Sequence, residues 1–167
     1  MVKIKIYIFL CALLPLSICS QENKLKGFDN LVDKTWVANG TWSNGSEFKQ
    51  EVSFHYELNK TLVITNSKGF IDESQLEYGN RNHGVRQYNA EKDQVEFWEF
   101  DIFGGLTTGT VELTDNDILY HYKYGESIIT DHWEYIDSNR YRFTVGTYKD
   151  GTWEAIYLQT EFKLKKE

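Results

Sequence analysis

Between residues 35 and 164 hydrophobic side chains recur at every second position, segment after segment. Phe48, Val52, Phe54, Tyr56 and Leu58 fall on one side of an extended chain, and Glu47, Lys49, Glu51, Ser53, His55 and Glu57 fall on the other. Period two with one wet face predicts an antiparallel strand. The same reading places strands over residues 35–43, 48–58, 61–67, 74–78, 85–88, 95–101, 106–113, 118–124, 127–136, 141–148 and 152–164. Turn chemistry separates them: Asn44-Gly45, Lys68-Gly69, residues 89–93, Gly104-Gly105, residues 114–117, 124–126 and 137–139, and Asp150-Gly151. Asn-Gly and Asp-Gly supply the positive φ angles that tight hairpins need. Ahead of the strands, Phe28, Leu31 and Val32 sit at helical spacing with Asp29 as a cap, which predicts a short N-terminal helical turn.

Nearly every connection is hairpin-length, so the strands form a meander. A meander of about ten strands exposes two edges unless it closes on itself. The expected fold is therefore all-β: an antiparallel up-and-down β-barrel of about ten strands, with one short helical turn before it.

The first twenty residues read differently. Lys3 and Lys5 precede an apolar run from Ile6 to Leu16, and Ser17-Ile18-Cys19-Ser20 follows. This is the pattern of a secretory signal peptide, and the run falls short of the about 20 apolar residues that span a bilayer. Cleavage after Ser20 is the simplest expectation. Cys19 opens a second one, a lipoprotein anchored through that cysteine. The domain expectation is thus a leader over 1–20, an N-terminal segment over 21–34 and a single barrel over 35–167, exported to the periplasm or secreted. Both cysteines, the one proline and the one methionine lie within residues 1–20, so no disulfide is expected in the barrel.

Charge narrows the partners. Residues 1–20 hold two lysines and no acid, so their removal takes the net charge from −7 to −9. An acidic chain without a basic block is a poor nucleic-acid binder, because that affinity comes mainly from neutralising phosphates. The same charge argues against adhesion to anionic lipid, and no insertion into a membrane is expected. Asn39, Asn44 and Asn59 match the glycosylation sequon, and in an asparagine-rich chain they read as chance matches.

The strand number, and the helical turn that leads into Lys34-Thr35-Trp36, resemble the calycin group of lipocalins, fatty-acid-binding proteins and related small barrels. Lipocalins place a Gly-x-Trp at this point; here Lys34 stands where the glycine would be. The resemblance implies a central cavity open at one end and transfers no ligand.

Candidate chemistry follows from face sharing. Trp98 and Phe100 share one face of their strand; Tyr120, Tyr122 and Tyr124 share another with Ile118; Trp133 and Tyr135 share a third with Ile129. Polar-tipped aromatics suit a pocket for an amphipathic molecule, and they equally suit a filled core of cross-strand pairs. The only arginines are Arg81, Arg86, Arg140 and Arg142. A guanidinium fork binds a carboxylate in a way lysine does not. Arg86 shares parity with Tyr88 and is the inward candidate. Arg142 opposes the Tyr141/Phe143 face and comes second, while Arg81 and Arg140 read as surface ion pairs. Residues 78–86 read as a loop at the cavity rim. Glu99 and Asp101 share a strand face and read as acids turned to water. Asp131 and His132 are neighbours on a strand, point to opposite faces and form no direct acid–histidine pair. No histidine spacing marks a metal site, no nucleophile motif is present, and neither a cofactor nor a metal is expected.

Three functions remain open at this point. The first is an exported carrier of a small amphipathic or carboxylate-bearing ligand, held by Arg86, Trp98, Phe100, Tyr120, Tyr122, Trp133, Tyr135 and Arg142. The second is an enzyme on the same barrel using His83 with a carboxylate. The third is a filled barrel that recognises a protein or glycan through surface aromatics.

Overall fold

The computed structural model describes residues 23–166. The expected leader, its cleavage point and the anchor at Cys19 lie outside these residues. A turn of 3-10 helix (Lys26–Phe28) precedes ten strands: β1 (Lys34–Thr41), β2 (Glu47–Glu57), β3 (Leu62–Phe70), β4 (Tyr78–Asn89), β5 (Gln94–Asp101), β6 (Leu106–Thr114), β7 (Asp117–Tyr124), β8 (Ser127–Asp137), β9 (Arg140–Lys149) and β10 (Thr152–Leu164). Each strand pairs antiparallel with its sequence neighbours, and β1 pairs with β10 to close the barrel. The meander expected from hairpin-length connections is the observed topology.

The differences are local. Residues 74–78 are not a strand. The Asp72 carboxylate accepts the backbone N–H of Leu76 (3.2 Å) and of Glu77 (2.7 Å), together with the Ser74 hydroxyl, and this side-chain clamp holds the segment as a turn between β3 and β4. Lys68 and Gly69 run inside β3 rather than ending it. Gly69 is needed there because a Cβ would stand 2.8 Å from the Arg81 Cδ. Residues 78–86, expected as a loop, are the first part of β4, paired with β3 from Tyr78, with a register shift at Arg81, and with β5 from Asn82 onward.

Antiparallel meandering divides the turns between two ends. The β2–β3, β4–β5, β6–β7 and β8–β9 turns surround one end, which the N-terminal segment closes. Leu25, Phe28 and Leu31 are fully buried there. Trp36 is itself fully buried, and its indole Nε1 donates to the Leu31 carbonyl at 3.1 Å. The Tyr56 hydroxyl lies 2.9 Å from the Leu25 carbonyl and 2.8 Å from the Asp29 carboxylate. Asp29 ends the helical turn rather than starting it: its N–H donates to the Lys26 carbonyl.

The β1, β2, β9 and β10 side of the interior is filled by aromatic rings. Trp133 stacks on Phe162 at 4.1 Å between centroids, Phe143 meets Phe162 edge-on at 5.2 Å, Phe54 meets Trp133 edge-on at 5.6 Å, and Phe48 stacks on Phe143 at 6.1 Å. Such pairs contribute about 0.5–1.5 kcal/mol each beyond their buried area. The opposite side, under β3 to β8, is where the interior is polar.

Candidate functional site

Alternation on β4 turns Asn82, Gly84, Arg86 and Tyr88 inward, and Arg86 is 6% exposed. A guanidinium so placed must find partners, since an unpaired buried charge is prohibitive. It finds three: Nη2 donates to Glu99 Oε2 at 2.8 Å, Nη1 to Thr65 Oγ1 at 2.6 Å and Nε to the Tyr120 hydroxyl at 3.1 Å. Glu99 also accepts from the Asn82 amide nitrogen at 3.3 Å. Register explains the pair: Arg86 lies opposite Phe97 and Gly84 opposite Glu99, so the guanidinium crosses diagonally to the carboxylate. Gly84 makes the crossing feasible, because a Cβ there would stand 1.9 Å from Arg86 Nη1 and 2.3 Å from Glu99 Oε2. Burial disfavours the Arg86 charge, while Tyr120 and Glu99 more than offset it, so the guanidinium stays protonated.

These groups form one wall of a cavity of about 190 Å³. Val52, Phe54, Phe97, Trp133 and Phe143 give it an apolar floor and back. Gln50, Asn82, Glu99, Thr107, Tyr122 and Asp131 line it toward the end opposite the N-terminal segment. Water reaches this wall: the Glu99 side chain keeps 19% of its exposure, against 7% for Arg86. Asp131 accepts the Tyr122 hydroxyl at 3.0 Å. Burial pushes its carboxyl up to about 7; Glu99 adds to the rise, and the Tyr122 hydrogen bond and Arg86 oppose it. Burial likewise raises the Tyr120 and Tyr122 hydroxyls, so both stay protonated donors at neutral pH.

Around this end stands a ring of exposed apolar side chains. Leu76 comes from the β3–β4 turn, Ile102, Phe103 and Leu106 from the β5–β6 connection, and Tyr124 and Ile128 from the β7–β8 hairpin. Acidic residues are interspersed, among them Glu73, Glu77 and Glu126.

The residues picked out by sequence separate into two groups. Arg86, Tyr120, Tyr122 and Trp133 line the cavity. Four others do not. Trp98 and Phe100 lie on the outer face, because β5 turns Val95, Phe97 and Glu99 inward; Phe100 is 48% exposed. Tyr135 points inward but sits at the closed end, with its ring 5.5 Å from that of Tyr141. Arg142 is outside, and its Nη1 donates to the Glu134 carboxylate at 2.8 and 2.9 Å. Arg140 pairs with Asp137 at 2.8 Å, and Arg81 donates to the Phe70 carbonyl. Reading Glu99 as turned to water is corrected: it is the counter-ion of Arg86. The expectation that the Arg86 fork would be free for a ligand carboxylate is corrected with it, since three of its five N–H groups are already engaged. Asp131 and His132 do point to opposite faces. His132 lies outside, 3.2 Å from Asp117, and Asp131 lies inside. His83 is on the outer face, 2.9 Å from Asn66 Oδ1, and no histidine lines the cavity.

Sequence reasoning missed Glu99, Asp131, Asn82, Thr65 and Phe97. The signal was parity: Glu99 shares its face with Val95 and Phe97, and Asp131 shares its face with Ile129 and Trp133. Among the described residues no group of three His, Cys, Asp or Glu could hold a metal ion, and no helix is long and apolar enough to cross a membrane.

No family model and no curated protein matches the sequence. Three solved structures are similar in outline. A redesigned β-barrel gives a TM-score of 0.44 at 12% identity, covering 84% of this chain and 96% of its own. A de novo designed fluorescence-activating β-barrel gives 0.41 at 16% identity, covering 83% and 98%. The S-type phycobiliprotein lyase CPES from Guillardia theta gives 0.44 at 11% identity, covering 88% and 99%. The barrel assignment stands on the strand pairing itself and not on these likenesses.

Proposed function

We propose that this chain is an exported, calycin-like barrel that holds a small amphipathic molecule in the cavity enclosed by β2 to β9. The observation that carries the reading is the cavity's two-sided lining. One wall is a connected set of buried polar groups, Arg86, Glu99, Tyr120 and Thr65; the other is aromatic. Ligand sites combine an apolar lining with a few convergent polar groups in this way. The difference between the barrel's two ends supports it as well. One end is closed by Leu25, Phe28 and Leu31, and the cavity lies toward the other. Its volume is about 190 Å³. That is below the ~300–1,000 Å³ of sites for drug-sized ligands, so the ligand is small. Export is supported by the charged, apolar and small-residue pattern of residues 1–20, with a lipid anchor at Cys19 as the alternative processing.

Native mass spectrometry of protein purified from its own host tests the carrier reading. A low-mass adduct, lost on Trp133→Ala, is the expected result. An adduct-free protein whose tryptophan emission no small molecule perturbs would count against it. Intact mass tests export: a chain that retains residues 1–18 refutes both the cleaved and the lipidated form.

A second reading, recognition of a protein or glycan, is favoured by the exposed ring of Leu76, Ile102, Phe103, Leu106, Tyr124 and Ile128. Exposed apolar patches mark interaction surfaces. The enzyme reading through His83 has no geometric support, because that side chain faces away from the cavity.

A further inference from the structure

The carrier reading leaves the ligand's chemistry open, and the charges inside the cavity bear on it. The lining holds one cation, Arg86, and two carboxylates, Glu99 and Asp131. The cation is matched. Its fork engages Glu99, Thr65 and Tyr120, and it donates no hydrogen bond to Asp131. Asp131 receives one hydrogen bond, from the Tyr122 hydroxyl to Oδ1. Once Asp131 is ionised, the surplus charge in the cavity is therefore negative.

Unpaired groups point the same way. Among the described residues, two buried side-chain oxygens near this wall, Ser67 Oγ and Asn82 Oδ1, have no hydrogen-bond partner. Asn82 lines the cavity. Its amide cannot be flipped to relieve the oxygen, because the nitrogen must face Glu99, so Oδ1 is fixed as an acceptor awaiting a donor. Ser67 is 3% exposed and lies on the inward row of β3, directly opposite Asn82 in register. Buried polar atoms are nearly always satisfied, and such an atom calls for a water, an ion or a ligand as its partner. Asn82 and Asp131 thus bring acceptors to the cavity lining, with the side chains of Phe97, Trp133 and Phe143 beside them.

We infer that the cavity takes a small primary ammonium ion, its charge on Asp131 and its carbon body against Phe97, Trp133 and Phe143. An ammonium brings three donors and no acceptor, which complements Asp131 and Asn82. The inference rests on the reading that the cavity is a ligand site. It replaces the carboxylate-bearing ligand expected from sequence by one of opposite charge.

Binding is linked to protons through Asp131. The titratable or charged groups that face it are Glu99 on β5, Arg86 on β4, and Tyr120 and Tyr122 on β7. Its neighbour across on β9 is Val145. Burial pushes the Asp131 carboxyl up to about 7. An alkylammonium keeps its charge through this range, so its affinity rises as the pH rises through 7 and levels off above it.

The test titrates the full chain with n-butylammonium, 1-butanol and butyrate at pH 6, 7 and 8, read by tryptophan emission and calorimetry. Butylammonium is expected to bind at least about tenfold more tightly than either isostere at pH 8, and to weaken several-fold by pH 6 as Asp131 protonates. Asp131→Asn is expected to bring butylammonium within about threefold of 1-butanol and to remove the pH dependence. The wild-type pH profile stands as evidence even if that variant does not fold. Equal, pH-independent binding of butylammonium and 1-butanol, or preference for butyrate, overturns the ammonium assignment and leaves the cavity as a ligand site. No binding by any of the three overturns both.

Discussion

Replacing Arg86 with methionine tests whether the interior polar wall is a coupled unit. Methionine keeps the aliphatic stem and removes the fork, so packing changes little and the charge is the main loss. Three acceptors are then abandoned: Glu99 Oε2, Thr65 Oγ1 and the Tyr120 hydroxyl. Removing one partner of a buried pair costs about 3–5 kcal/mol. Here Glu99 keeps 19% of its exposure, so water relieves part of the loss, and we expect the low end, ~3 kcal/mol. In the Arg86→Met background, Glu99→Gln removes the stranded charge and keeps an acceptor for Asn82. It should return ~2 kcal/mol, a coupling within the range seen for residues that share a network. Urea unfolding followed by tryptophan emission at pH 7 gives all four corners of the cycle, with an unchanged m-value as the check on two-state behaviour. A loss under ~1 kcal/mol for Arg86→Met, or single effects that add within ~0.5 kcal/mol, would refute the argument.

Asp131→Asn should stabilise the barrel at pH 8 and do little at pH 4. A carboxyl held near 7 in the fold binds its proton more tightly than in the unfolded chain, so wild-type stability falls as the pH rises from about 4 to 7 and the full penalty remains above that. Melting temperatures of the two proteins at both pH values check it, and a gain that is the same at pH 4 would contradict the linkage. Gly84→Ala should destabilise by about 1–3 kcal/mol, as overpacking does, because the new Cβ meets Arg86 Nη1 and Glu99 Oε2; chemical denaturation measures it, and a neutral effect would mean the fork has other places to go. Trp36→Phe deletes the indole bond to the Leu31 carbonyl and should cost about 1–3 kcal/mol. Amide exchange over residues 25–31 should speed up with it, and unchanged protection would show that the plug is held by packing alone.

The sequence carried the strands because period two survives wherever one face is wet. It failed at residues 74–78, where alternation is mimicked by a turn whose order comes from one side chain, Asp72. It assigned Ile118, Tyr120 and Tyr122 to the same face as observed, since Leu119 is the only apolar residue on the opposite row of β7. On β5 both rows carry aromatics, Phe97 on one and Trp98 and Phe100 on the other. The deciding fact was the need of Arg86 for a carboxylate, and Glu99 could be identified as that partner only once β4 and β5 were in register. Tyr135 exposes a different gap. Alternation tells which face a side chain takes but not its height along the barrel axis, and Tyr135 lies inside yet at the wrong end. Asp131 was hidden by its neighbour His132, which drew attention to a pairing that strand geometry forbids.

Barrel closure has a kinetic consequence. Nine of the ten strand contacts join segments adjacent in sequence, and only the β1–β10 seam joins the two ends of the domain. Its direct register covers just two pairs, Trp36 with Leu164 and Val37 with Lys163. Hydrogen bonds outside that register extend the seam, from Lys165 N–H to the Thr35 carbonyl, from the Thr160 hydroxyl to the Asn39 carbonyl and from Ser43 N–H to the Tyr157 carbonyl, and loop-closure entropy makes so distant a contact the last to be made. The cavity is built entirely from β2 to β9, the strands on either side of which the seam lies. Hairpin-by-hairpin assembly can therefore complete the polar wall before the sheet has become a cylinder. An opened seam would bare two strand edges, which recruit other chains, while leaving Arg86, Glu99 and Asp131 in place. For this molecule self-association and loss of the site are separate events, with separate rates.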